Sequence, residues 1–110
     1  MYKFYKIKWL EALRSGEYAQ EKGRLCTRGK SYDKFCCLGV ICDIVARETN
    51  EPWRYVKGGD FNSFRDCTAL FSTDLRRKFE ISFDQELQLI RKNDFGASFD
   101  EIANWIERNL

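Results

Sequence analysis

The sequence predicts an α+β fold: a single compact globular domain over residues 1–110, mostly helical with about five helices, plus a small antiparallel β-hairpin or short sheet. Three observations lead there. Hydrophobic residues make up 44% of the chain and aromatic residues 15%, enough core material for one domain of modal size that hides roughly two-thirds of its extended surface. Apolar residues recur at helical spacing in the middle of the chain, and helix-start chemistry appears three times in the last third. Short β-prone stretches, bounded by glycine, fall between them.

Taken in order, Phe4, Ile7, Leu10 and Leu13 form a stripe with Trp9 at its edge, and Gly16 stands where a helix would stop. A helix is expected from Lys3 to Ser15. Residues 17–23 are polar and turn-like. Arg24-Leu25-Cys26 and Tyr32-Asp33-Lys34-Phe35 then bracket Thr27-Arg28-Gly29-Lys30-Ser31, the pattern of a hairpin with a basic tip. Cys37, Val40, Ile41, Ile44 and Val45 repeat at i, i+3, i+4, i+7 and i+8, and Cys36 and Leu38 widen that face. This is the expected central helix. Pro52 closes the loop after it, Trp53-Arg54-Tyr55-Val56 reads as one short strand ending in a turn, and residues 61–71 carry no clear signal.

Ser72 or Thr73 can cap a short helix reaching Phe79, Ser82 with Gln85 makes a second capping pair, and Ser98-Phe99-Asp100-Glu101 has capping-box spacing. In such a box the serine hydroxyl accepts from the Glu101 amide while the carboxylate reaches back to the Ser98 amide. Ile102, Ala103, Ile106 and Leu110 follow as a buried stripe, and Gly96 gives the backbone freedom just before the cap.

The chemistry available is bounded by an absence. No histidine occurs, so the usual base for a serine or cysteine nucleophile is missing. Cys26, Cys36, Cys37, Cys42 and Cys67 contain no C-x2-C knuckle and no histidine to complete a zinc set, and their odd number suits buried thiols better than a disulfide framework. No metal site, cofactor or catalytic residue is therefore assigned. A thiol at the helix start, Cys36 or Cys37, activated by the helix N-terminus and Lys34 and served by Asp33 or Asp43, stands as the enzymatic alternative. Asp43 can also pair with Arg47 one turn on. Gly58-Gly59-Asp60 lacks the Lys-Ser/Thr of a phosphate loop, and Trp9, Trp53 and Trp105 read as core anchors.

Net charge is +2, from 19 basic and 17 acidic residues, which argues against a dedicated duplex-DNA binder. The charge is uneven: nine basic against four acidic residues up to residue 34, seven of each over 35–83, and three against six over 84–110. The N-terminal segment mixes lysine with apolar residues and has no signal-peptide pattern, and no apolar run is long enough to span a bilayer. A cytoplasmic setting without membrane contact is expected. The leading candidate site is the basic hairpin: Arg24, Arg28, Lys30 and Lys34 within eleven residues, with Tyr18 and Gln20 beside them. That combination suits a phosphate, a nucleotide or an acidic protein surface, and equally describes an ordinary solvated loop.

Trp9-Leu10-Glu11-Ala12-Leu13-Arg14-Ser15-Gly16-Glu17-Tyr18, Phe35-Cys36-Cys37-Leu38-Gly39-Val40-Ile41-Cys42-Asp43 and Ser98-Phe99-Asp100-Glu101-Ile102-Ala103-Asn104-Trp105-Ile106-Glu107 together resemble a group of small uncharacterised proteins encoded by bacteriophages and prophages. The likeness covers both ends and the central helix and is least over residues 50–82. It implies a setting, the interior of a bacterial host cell, and no catalytic residues. Within that setting the expected function is that of a non-enzymatic accessory protein that binds stoichiometrically, acting on host defence through a host protein or an anionic nucleotide signal. The alternatives are the cysteine/carboxylate enzyme and a weak nucleic-acid-binding module.

Overall fold

The computed structural model describes residues 1–110 and orders them as α1 (Lys3–Arg14), β1 (Ala19–Gln20), β2 (Cys26–Thr27), β3 (Lys34–Phe35), α2 (Cys37–Thr49), β4 (Arg54–Tyr55), β5 (Phe61–Ser63), α3 (Thr73–Phe79), α4 (Phe83–Asp94) and α5 (Phe99–Asn109). The result is a compact α+β domain with five helices and one small sheet. Sheet order is β1-β3-β2-β5-β4; β1 runs parallel to β3, and every other pair is antiparallel.

The central helix is where the apolar spacing placed it. Residues Cys37 to Asp43 of α2 are buried without interruption, followed by Val45 and Ala46, while Ile44 is only half-buried. Surrounded in this way, α2 packs against α1, α4 and β3, and α1 also lies along α5. Gly39 permits the tightest approach. A Cβ there would fall 2.6 Å from the carbonyl carbon of Leu25 and closer still to its oxygen, so the first turn of α2 rests directly on the chain entering β2.

The buried face of α1 differs from the expected stripe. Of the expected stripe Leu13 is in the core, Leu10 is half-buried, and Phe4 and Ile7 are 46% and 54% exposed; the core also takes Trp9, expected at the edge of the stripe, and Tyr5. Helical periodicity allows both sets, because they are adjacent stripes on the same cylinder. Tertiary partners decide between them: Tyr5 meets the edge of Phe79 at 5.3 Å, and Trp9 Nε1 donates to the Cys37 carbonyl at 2.9 Å. Complete burial of a side chain as large as Trp9 contributes about 1.5–3 kcal/mol or more. Gly16, at φ +77°, lies just past the helix end.

Each expected helix start in the last third is present. Ser72 Oγ accepts from the Leu75 amide at 3.2 Å; Ser82 with Gln85 and Ser98 with Glu101 form reciprocal capping boxes. Phe99, Ile102, Ala103 and Ile106 are the buried residues of α5, with Leu110 half-buried. The expected hairpin is also present, pairing Cys26 with Phe35 and Thr27 with Lys34. Residues 17–23, read as turn-like, supply β1. Residues 61–71 supply β5 and then a tight turn, Phe64 and Cys67 exchanging both backbone bonds at 2.9 Å around Arg65 and Asp66, which have φ of 50° and 65°.

No helix is long and apolar enough to cross a membrane.

Candidate functional site

The hairpin is drawn tight at its tip and tied to the turn between β4 and β5. The Arg28 amide donates to the Asp60 carbonyl at 2.7 Å, and Gly29 passes so close to the Tyr32 carbonyl that any side chain there would collide with it. Directly opposed residues share a sheet face. Lys34, Thr27 and Phe61 therefore form one row, because Thr27 pairs with both of the others, and Arg54 joins that face through its pairing with Ser63. The guanidinium of Arg24 lies 3.9 Å from the centre of the Phe61 ring. Arg24 and Lys30 are exposed and Lys34 is half-exposed.

The other three candidates are committed to the scaffold. Arg28 spends its guanidinium on the carbonyls of Phe61 and Gly59 and on Asn62 Oδ1 at 3.0 Å, while stacking 3.8 Å from the centre of Tyr55. Its role is to fold the β4–β5 turn over the hairpin. Tyr18 donates its hydroxyl to Asp43 Oδ2 at 2.6 Å, and burial together with this bond pushes its phenol well above the ordinary range. Gln20 Nε2 donates to Asn93 Oδ1 at 3.0 Å and to the Ala97 carbonyl at 2.8 Å.

The six candidates thus separate into an outward group, Arg24, Lys30 and Lys34, and a supporting group, Tyr18, Gln20 and Arg28. Sequence reading missed two exposed cations, Arg54, which shares the face of Lys34, and Lys57 in the turn between β4 and β5. The Trp53-Arg54-Tyr55-Val56 strand signal was the available clue to Arg54. None of Arg24, Arg28, Lys30, Lys34, Arg54 and Lys57 has a carboxylate partner; the five ion pairs involve Lys8, Arg14, Arg47, Arg65 and Arg76.

Two buried polar clusters flank this surface. Asp43 accepts from Tyr18 and from Trp53 Nε1 at 2.9 Å, and its Oδ2 forms an ion pair with Arg47 Nε at 3.0 Å, the expected i, i+4 pair. Asn93, almost fully buried, accepts at Oδ1 from Gln20 and from the Cys37 amide at 3.1 Å, and donates at Nδ2 to the Glu21 carbonyl at 2.8 Å. It thereby serves as the side-chain cap that Cys36 does not provide for α2. No buried side-chain polar atom lacks a partner.

All five cysteines are free thiols and buried. The five thiols are buried as expected, and the activation that the enzymatic alternative needs at the start of α2 is reversed. Desolvation pushes Cys36 up to about 11 and Cys37 well above the thiol value of 9.0, outweighing the backbone amides that favour the thiolate. Burial, with Asp33 nearby, takes Cys26 up to about 12. No group of three or more His, Cys, Asp and Glu residues stands close enough to hold a metal ion.

Clefts meet Tyr18, Gln20 and Arg54 rather than the outward hairpin cations. A cleft of about 430 Å³ between α1 and α2 is bordered by Glu11, Tyr18, Ile44 and Arg47, with Lys8 and Glu48 paired across it at 3.0 Å. Arg24, Lys30 and Lys34 line none of five clefts of about 240–520 Å³. Their surface is open.

Among protein-family models, that of a domain of unknown function, DUF8296, matches residues 1–73, from α1 to the first residue of α3. No curated protein and no solved structure matches the chain.

Proposed function

We propose a function from the surface itself, because the chain belongs to the DUF8296 family and that family is a domain of unknown function. The protein acts by stoichiometric binding, and the face it uses is the basic side of the sheet. Arg24, Lys30 and Lys34 make the contact; Tyr18, Gln20 and Arg28 hold the hairpin that presents them. The observation that carries this reading is the group of six cations on the hairpin and the β4 side, none of which forms an ion pair with a carboxylate of its own chain. Such charges raise the encounter rate with an anionic partner and reject cationic ones.

The partner that fits is an acidic protein surface. A small anion such as a nucleotide calls for a concave site that surrounds most of it, and Arg24, Lys30 and Lys34 line none of the five clefts of about 240–520 Å³. A protein surface suits an open face carrying an aromatic ring under a guanidinium, as Phe61 lies under Arg24. The resemblance to phage and prophage proteins supports a bacterial host cytoplasm as the setting and a host protein, including a component of host defence, as the target.

The test is capture from bacterial lysate by wild type and by the triple variant Arg24→Glu/Lys30→Glu/Lys34→Glu, with bound material identified by mass spectrometry. Wild type retains an acidic protein, the variant loses it, and both melt at nearly the same temperature because all three side chains lie outside the core. Undiminished capture by the folded variant overturns the assignment. A nucleotide in the native mass, removed by the same substitutions, would replace the protein partner with a small anion.

A further inference from the structure

We propose that the partner is engaged by strand addition, an extended segment bearing carboxylates pairing with the outer edge of β4. The inference rests on the basic-face reading above and states the form in which the acidic partner is held.

The sheet has two edges, β1 and β4, and they are treated differently. The β1 edge is covered. Gln20 bonds to Asn93 and Ala97, the Glu21 carbonyl accepts from Asn93, and the Gly23 amide donates to Asp94 Oδ1 at 3.0 Å, so the turn between α4 and α5 lies over it. The β4 edge is open. Arg54 and Tyr55 are both exposed, Tyr55 to 71%, and outside the ladder with β5 their backbone groups make no hydrogen bond. In an antiparallel pair alternate residues turn their N–H and C=O away from the partner, so this edge offers a donor and an acceptor to an incoming strand.

The charge on the edge selects the occupant. Arg54 and Lys57 are exposed and unpaired, and the Arg28 guanidinium lies against Tyr55. Two copies of this chain joined edge to edge would bring these cations together, and like charges opposed across strands are destabilising. Cations on an edge are a common guard against indiscriminate pairing; here they admit a strand that carries carboxylates. The reach of the ladder is also set. Pro52 has no N–H to give at one end, and the turn containing Gly58, at φ +86°, closes the other, leaving residues 53–56 as the template apart from the Val56 carbonyl, which accepts from the Gly59 amide at 3.3 Å.

The experiment titrates the full-length, ¹⁵N-labelled protein with a ten-residue peptide alternating Glu and Val. Two controls are run: the same peptide N-methylated at alternate backbone nitrogens, and a Glu/Ala peptide of equal charge that favours helix. The expected result is amide shifts centred on residues 53–56, about tenfold weaker binding after N-methylation of the ladder-facing nitrogens, and a similar loss with Arg54→Glu. If the N-methylated or helical peptide binds as well as the alternating one, or the shifts fall on Arg24, Lys30 and Lys34 without residues 53–56, strand addition is overturned and the basic face stands. If no peptide binds while lysate capture still depends on the three hairpin cations, strand addition is likewise overturned. Failure of the basic face is read separately, from capture that survives charge reversal.

Discussion

Replacing Gly39 with alanine sets two physical effects of opposite sign against each other. Gly39 lies inside α2, where helix propensity alone makes alanine better by about 1 kcal/mol. The structure predicts the opposite outcome. The new Cβ would sit 2.6 Å from the Leu25 carbonyl carbon, where ordinary contact begins near 3.4 Å, and the obstacle is backbone that cannot rotate aside. Relief requires α2 and the start of β2 to separate by more than the shortfall at that carbon, because the carbonyl oxygen lies nearer still. Both are in the fully buried core, so neighbours such as Leu38 and Val40 must shift with them. Overpacking of this kind costs about 1–3 kcal/mol, and immovable backbone places it at the upper end. Subtracting the propensity gain leaves a net loss of roughly 2 kcal/mol. With a urea m-value of about 1–3 kcal/mol per molar, the unfolding midpoint should fall by roughly 1 M and the slope should stay constant. A midpoint equal to or above wild type would show that the close approach does not govern this position.

Two further predictions concern titration. The thiols should react slowly with iodoacetamide at neutral pH and all five should label after unfolding, as counted by intact mass; one thiol labelled rapidly in the native protein would contradict their burial. Because folding raises Cys36 from 9.0 to about 11 and Cys26 to about 12, the stabilisation tied to these thiols is complete below pH 9 and is lost as pH rises through those values, so the urea midpoint should fall on the alkaline side. The Glu51 carboxyl, held down to about 2 mainly by its hydrogen bonds to Arg65, should titrate there by ¹³C NMR, its contribution being present above 4.5 and lost as pH falls through about 2. Arg65→Ala should move that midpoint back toward 4.5, and a wild-type midpoint already near 4.5 would refute the pairing.

What could be read in advance was whatever depends on neighbours in sequence. Ser82 with Gln85 and Ser98 with Glu101 are three residues apart and form their capping boxes as expected, and the run from Cys36 to Val45 is too apolar to lie anywhere but the core. Partners far apart in sequence were not legible. The two residues of β1 become a strand only because Phe35 and Lys34 stand beside them, and the side of α1 that is buried was settled by Phe79 and Cys37. The candidate site divides in the same way. A cluster of cations within eleven residues could be seen, but not that Arg28 would be consumed by carbonyls some thirty positions later, nor that Arg54 would share the face of Lys34.

Asn93 also sets an order of events in the making of the protein. The amide it satisfies belongs to Cys37, 56 positions earlier, and the edge it shields belongs to β1, earlier still. On a ribosome adding roughly 5–20 residues per second, that interval lasts roughly 3–11 s. Once β5 has been made, the emerging chain holds the material of its central helix and sheet without the side chain that finishes both, and one strand edge stands open to other nascent chains. Completion therefore waits on α4, and the last third of the polypeptide closes a structure that the first two-thirds begin.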